Sequence, residues 1–180
     1  MLAGCGQQNA DSEQSTEAVT DSQEETSASG EREITDMAGR TMTVPEEIDT
    51  VFSTGPVAAI YLYTLVPDKL LGWNYELNDI EKSIILEQYH DLKVAAQNGA
   101  LQQNLVMEQL PDAQMEVITS INDGSIDESD ALAEQLGVPV VMVSSDLLDA
   151  PEVYRFMGEL FGVEDQTEAL ATYAEETFDD

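Results

Sequence analysis

The amino-acid sequence predicts an α/β fold, a Rossmann-like parallel sheet flanked by helices, with a small β-hairpin in front of it. Short apolar segments alternate with helical patterns along the chain, and this alternation is typical of parallel strands joined by helices. The segment 138–143 contains apolar residues only, as expected of a strand that is buried on both faces. The turn residues Asp36 to Gly39, followed by residues that favour extended backbone, predict the hairpin.

The other predicted elements follow in a regular order. Val51 and Phe52 form a short apolar strand, and Thr54-Gly55-Pro56 then offers a helix cap, a flexible joint and a proline suited to a first helical turn. Further strands are predicted at 70–72, 117–119 and 138–143, and helices at 56–65, 78–88, 104–110, 126–136 and 150–161. The last segment, 164–180, has the pattern of the start of another helix.

The charge of the chain is strongly negative. It contains 37 acidic and 6 basic side chains, a formal net charge of −31. The first 30 residues hold six of the acids and none of the bases, which leaves a net charge of −25 on the rest. Nucleic-acid binding is therefore excluded as a function, because it needs a basic surface. An acidic surface suits a secreted or surface-tethered protein, and its simplest role is solubility.

The N-terminal segment, residues 1–31, is predicted to be a disordered acidic tether. Residues 6–31 are rich in polar and acidic side chains and have a single large aliphatic residue, Val19, too little to offset the entropy of ordering. Before them, Leu2-Ala3-Gly4-Cys5 resembles a bacterial lipobox, which implies a lipid anchor on Cys5. The alternative is an isolated free cysteine. No apolar run reaches the roughly 20 residues that a spanning helix needs.

Several motifs, in the same order, resemble the N-terminal half of substrate-binding proteins of ABC importers, the class III periplasmic binding proteins that carry iron-siderophores, haem and cobalamin. Residues 36–45 fit the D-x-x-G-R-x-x-x-V-P hairpin with which that domain begins. Residues 61–73 resemble its first helix, a turn and its second strand, and 136–141 its L-G-I-P-V segment. Residues 107–118 resemble its V-E-x-I…K-P-D-V-I segment, although Met115 stands where the family has proline.

The resemblance implies an extracytoplasmic receptor without catalytic activity or a cofactor of its own. Its fold would be two lobes with the metal chelate held between them, and its partner an ABC importer permease. Residues 32–163 are then the N-terminal ligand-binding lobe and 164–180 the start of the inter-lobe helix. We expect no second lobe within these 180 residues, as in a fragment, a truncated product or a single-lobe variant.

The expected ligand site lies in the loops at the carboxyl ends of the strands, where open α/β sheets bind their ligands. The aromatic rings of Trp73 and Tyr75 are expected at a strand mouth, where they would stack on a flat ligand; the alternative for Trp73 is packing in the core. Thr54 and Gly55 offer a hydroxyl and helix N-terminal amides to an anionic group, or simply cap the helix. The predicted ligand-binding residues are Thr54, Gly55, Trp73, Asn74, Tyr75 and Asn122.

Other chemistry finds little support in the sequence. His90 is the single histidine and Cys5 the single cysteine, so a nucleophile-base set or a metal site built from side chains is not expected. The resemblance implies that Glu108 docks on arginines of the permease, whereas the plain alternative is a solvated helix residue. Two other functions remain open: a truncated surface interaction module that no longer transports, and, least favoured, an α/β enzyme.

Overall fold

The computed structural model describes residues 30–53, 55–94, 96–97, 100–101, 108, 110, 112–119 and 125–179. In this part of the chain the predicted α/β architecture is confirmed: a parallel sheet is flanked by helices and preceded by an antiparallel hairpin. None of the described helices is long and apolar enough to cross a membrane.

The hairpin consists of β1 (Glu31–Thr35) and β2 (Thr41–Pro45), in the register Ile34 opposite Met42. Its turn closes through a hydrogen bond from the Gly39 amide to the Asp36 carbonyl, 2.9 Å long. Gly39 has a φ of 80°, a conformation that only glycine adopts at little cost, which explains the glycine at the end of the predicted turn.

A buried carboxylate fastens this hairpin to the sheet. The Asp36 carboxylate accepts hydrogen bonds from the backbone amides of Ala38, Arg40 and Met142, at 3.0, 3.0 and 3.1 Å. It also accepts two from the Arg40 guanidinium, at 3.0 and 2.7 Å, and the same guanidinium donates to the Val140 carbonyl at 2.6 Å. The aspartate and arginine of the D-x-x-G-R motif therefore form the joint between the hairpin and the last strand.

The parallel sheet contains β3 (Val51–Phe52), β8 (Met115–Thr119) and β9 (Val140–Val143), with β8 in the middle. A second parallel pair, β4 (Gly72–Trp73) and β5 (Lys93–Val94), is aligned with it by a parallel bridge between Val51 and Leu70. Two further strands, β6 (Ala96–Gln97) and β7 (Ala100–Leu101), form an antiparallel pair.

The helices are α1 (Pro56–Leu65), α2 (Asp79–Ile84), α3 (Ser125–Leu136), α4 (Ala150–Phe161) and α5 (Glu164–Asp179). The bounds predicted for α1 and α4 are confirmed. The helix predicted at 78–88 is shorter: Asn78 and Glu81 cap α2 reciprocally, the helix ends at Ile84, and a separate 3-10 turn follows at Glu87–Tyr89. Most of the helix predicted at 104–110 lies outside the described residues.

The core lies between the sheet and the helices that flank it. Val51, Leu62, Met115, Val141 and Met157 belong to one buried cluster to which strands and helices both contribute. Because each strand is short, the strands alone bury too little, and α1 and α4 supply much of the apolar surface.

Helices α4 and α5 pack together as an antiparallel hairpin. The chain turns between them at Gly162, which has a φ of 68°. Arg155 on α4 joins the two helices: it lies 2.9 Å from Glu168 and 2.6 Å from Glu175. These hydrogen bonds raise the pKa of Arg155 and lower the pKa of both glutamates. The predicted boundary at 163 coincides with the junction of α4 and α5, and the inter-lobe role of 164–180 stays a prediction.

Candidate functional site

The carboxyl ends of β3 and β4 lie side by side because Val51 and Leu70 pair in parallel. Gly55 follows the first strand, and Asn74 and Tyr75 follow the second. Beside them is a cavity of about 350 Å³, between α1, the end of β4 and α2, which we call the rim cavity. It is lined by Pro56, Ala59, Ile60, Tyr63, Thr64, Trp73, Asn74, Tyr75, Glu81, Ile84 and Ile85.

Trp73 forms a wall of the rim cavity from within the core. It is only 4% exposed, and its indole Nε1 donates to the Tyr89 carbonyl at 2.8 Å. Its ring lies 5.7 Å from that of Tyr63. The expectation of an exposed Trp73 is therefore wrong. The ring packs in the core cluster, which is the alternative named for this residue, and it contacts the cavity from there. Its role in ligand binding stays a prediction.

Asn74 carries the most unusual polar atom of the cavity. The residue is 8% exposed, and its side-chain Oδ1 is buried without a hydrogen-bond partner in the part of the chain that the structure describes. A buried acceptor left unpaired costs about 1–3 kcal/mol. Such a group is rare in a folded protein, and here it belongs to a residue that lines the rim cavity.

Tyr75 and Glu81 close the cavity on the side of α2. The Tyr75 hydroxyl donates to Glu81 Oε1 at 2.7 Å, while Glu81 Oε2 accepts the Asn78 amide at 2.8 Å. The hydrogen bond to Glu81, followed by burial, raises the pKa of Tyr75. The capping box of α2 thus also fixes the orientation of the tyrosine.

Gly55 is the N-cap of α1 and has no side-chain cap. The hydroxyl of Ser53 bonds to the backbone of this same residue: it donates to the Gly55 carbonyl at 2.9 Å and accepts the Gly55 amide at 3.2 Å. Ser53 is fully buried, so its hydroxyl shapes the turn. Pro56 occupies the first turn of α1, as predicted.

The remaining predicted residues are not brought to the cavity by the described structure. Thr54, Asn122 and Cys5 lie outside the described residues. Glu108 is exposed and helical, which fits both readings of that residue. His90 Nε2 lies 2.8 Å from the Ile85 carbonyl, and no group of three or more metal-ligating side chains occurs among the described residues.

Sequence reasoning missed the contributions of α1 and α2, namely Ile60, Tyr63, Glu81 and Ile84. The sequence does contain a signal for the contribution of α1. Apart from Thr64, helix α1 is apolar or aromatic all round, so one face packs in the core and the other needs a second neighbour. Ile60 and Ile84 are 62% and 76% exposed, and they form the apolar edge of the cavity mouth.

Two larger cavities have less of the character of a binding site. One of about 460 Å³ is an apolar groove on the other flank of α1, towards α4 and α5. Another of about 550 Å³ lies near the residues that precede β3, at the amino end of that strand. There the cations are already paired with carbonyls: Arg32 donates to Leu160 at 2.7 Å and Lys69 to Ile48 at 2.7 Å. Of these three cavities, the rim cavity is the one that lies at the carboxyl edge and has Asn74 among its described lining residues.

The sequence matches no protein-family model and no curated protein. Solved structures do match. An ABC transporter solute binding protein from Sulfurospirillum deleyianum is 17% identical with a TM-score of 0.65, over 78% of this chain and 45% of that one. The siderophore binding protein BauB, bound to ferric iron and two molecules of acinetobactin, is 10% identical with a TM-score of 0.61, over 82% and 51%.

The heme binding protein HmuT is 17% identical with a TM-score of 0.52, over 79% of this chain and 44% of its own. The chain thus spans about half the length of these structures. The resemblance seen in the sequence motifs is confirmed at the level of the fold: this chain has the architecture of part of an ABC-transporter solute-binding protein.

Proposed function

We propose that this chain is the ligand-binding lobe of an extracytoplasmic receptor that captures a metal chelate and delivers it to an ABC importer permease. The ligand classes are those of the resemblance, an iron-siderophore, haem or a corrinoid. The observation that carries the proposal is the rim cavity, which lies at the carboxyl edge of the sheet and is lined by three aromatic residues and by Asn74. The fold shared with solute-binding proteins supports it.

The cavity supports binding better than catalysis. Its polar groups are an amide, two tyrosines, a threonine and one carboxylate, and the carboxylate is engaged by Tyr75 and the Asn78 amide. The Tyr75 hydroxyl beside Glu81 has a raised pKa, the opposite of an activated nucleophile, and the described lining residues include no Ser, Cys or His. The interaction module is favoured by a different feature, the apolar groove between α1, α4 and α5, whose Tyr173 is 69% exposed.

Fluorescence tests the proposal, because Trp73 is the single tryptophan. We expect weak or absent quenching when the 180-residue chain is titrated with a ferric siderophore, haem or cobalamin, and clear saturable quenching when a version extended by its downstream sequence is titrated. N-acetyltryptophanamide, titrated in parallel, corrects for light absorbed by the chelate. If none of the three classes changes the Trp73 emission of the extended version or is retained by it in equilibrium dialysis, the receptor function is refuted and the interaction module is preferred.

Replacing Asn74 with leucine should separate binding from stability. The variant Asn74→Leu removes the unpaired acceptor, so we expect the free energy of unfolding to rise by about 1 kcal/mol and the ligand affinity to fall about tenfold. Urea unfolding and the Trp73 titration measure the two effects. The matched control is Asn78→Leu, which removes the cap of α2 and should lower stability by about 1 kcal/mol. A destabilised Asn74→Leu protein would contradict the role given to Oδ1.

Attachment and docking are tested in cells. We propose that Cys5 carries the lipid anchor and Glu108 contacts the permease. With a signal peptide in front, Cys5→Ser should move the protein from the membrane to the soluble extracytoplasmic fraction. Glu108→Ala should lower chelate uptake and leave binding by the purified protein unchanged. A membrane-bound Cys5→Ser protein, or full uptake with Glu108→Ala, would refute the respective assignment.

A further inference from the structure

We propose that the rim cavity selects the charge of its ligand: it accepts a neutral or cationic chelate and disfavours anionic chelates. This inference rests on the receptor function proposed above and narrows its substrate class. It follows from two properties: where the cations of the chain lie, and what charge the cavity holds.

The cavity contains no cation. The chain has six basic residues, Arg32, Arg40, Lys69, Lys82, Lys93 and Arg155, and none of them lines it. Four are engaged elsewhere: Arg40 with Asp36, Arg155 with two glutamates, and Arg32 and Lys69 with backbone carbonyls. The residues outside the described part of the chain include no Lys or Arg, so the neighbouring loops supply no positive charge either.

Among the described residues that line the cavity, Glu81 is the single charged one. Its carboxylate accepts two hydrogen bonds, from Tyr75 and from the Asn78 amide, and no cation pairs with it in the described structure. The surrounding lobe adds to this field, since residues 31–180 carry a net charge of −25. An anionic ligand therefore meets like charge both at long range and at the cavity.

The test titrates the extended version of the chain with ferric chelates that differ in charge. Quenching of Trp73 at low ionic strength measures their binding. The probes are a cationic ferric trihydroxamate (ferrioxamine B), a neutral one (ferrichrome) and a strongly anionic ferric tris-catecholate. We expect the cationic and neutral complexes to bind about tenfold tighter or more than the tris-catecholate, with the difference shrinking as salt is added. Tightest binding of the tris-catecholate would overturn the charge selection while leaving the receptor function intact. Binding of none of the chelates would refute the receptor function, and the charge selection with it.

The variant Glu81→Gln assigns the selection to the cavity. Glutamine keeps one oxygen for the Asn78 amide of the capping box, and its NH2 can donate to the Tyr75 hydroxyl oxygen, so the variant removes the charge and reverses one hydrogen bond. We expect it to tighten tris-catecholate binding several-fold more than it changes ferrichrome binding. The matched control is Glu159→Gln, an exposed charge on α4 outside the rim cavity. If both variants shift the preference equally, the net charge of the lobe is responsible and the assignment to the cavity is wrong.

Discussion

Replacing Asp36 with alanine is expected to lower the free energy of unfolding by about 3–5 kcal/mol, the largest effect of any single substitution considered for this chain. The Asp36 side chain is 0% exposed and that of Arg40 is 12% exposed. Removing the carboxylate leaves the guanidinium nearly buried with a much weaker set of partners, and it orphans the amides of Ala38, Arg40 and Met142.

The other acidic partner of the same arginine provides the control. Asp130 on α3 lies 2.7 Å from Arg40, but its side chain is 64% exposed. Exposed ion pairs contribute about 0–1 kcal/mol, so Asp130→Asn should change stability by no more than that. Urea unfolding of both variants, followed by circular dichroism, measures the difference. Equal losses for Asp36→Ala and Asp130→Asn would show that burial of the carboxylate does not govern the strength of the joint.

Replacing Gly158 with alanine is expected to cost about 2–3 kcal/mol, at the upper end of the usual range for overpacking. A Cβ at this position of α4 would overlap the Thr167 hydroxyl oxygen of α5 and would lie 3.1 Å from Thr167 Cβ and 3.2 Å from Glu164 Cα. The backbone contact means that the helices must move apart, and the better helix propensity of alanine offsets only about 1 kcal/mol.

A double-mutant cycle identifies the clash as the cause. Thr167→Ala removes the overlapping oxygen and by itself should cost about 1 kcal/mol, since the hydroxyl bonds to the Val163 and Glu164 carbonyls. We expect the double variant Gly158→Ala/Thr167→Ala to lose at least about 1 kcal/mol less than the sum of the single variants. Additive losses in thermal unfolding would contradict the role of Gly158 as the point of close approach between α4 and α5.

The hairpin and the order of elements were predictable because their signals are local. The turn residues 36–39 specify the hairpin through their own backbone preferences. Helix α1 begins at Pro56, which suits a first turn, and it ends at Leu65 because Pro67 disfavours a helical conformation at Val66. By contrast, the stop of α2 at Ile84 is not marked by glycine or proline in the chain, so the predicted helix ran on through residue 88.

Burial was less predictable than secondary structure. Gly72 and Asn74 are typical of a loop, and the ring of Trp73 was therefore expected to be exposed at a strand mouth. The structure instead pairs Gly72 with Lys93 in a parallel ladder and buries the indole. Pairing of strands 20 residues apart leaves no local mark, because each strand has only two residues. For the same reason, the walls that α1 and α2 supply to the cavity beside Asn74 and Tyr75 were missed, and the ligand-binding role of these two residues stays a prediction.

By itself, the sequence determined the fold class, the strong negative charge and the positions of the loops that end the strands, since composition, periodicity and turn chemistry act over a few residues. Only the tertiary structure decided that Asp36 and Arg40 bind β9 through hydrogen bonds, and that Asn74 has an unpaired acceptor. It also decided that Trp73 lines the rim cavity and that α1 and α2 complete that cavity. These features depend on contacts between residues far apart in the chain. Their geometry is set by packing and by the pairing of strands, which no single segment specifies.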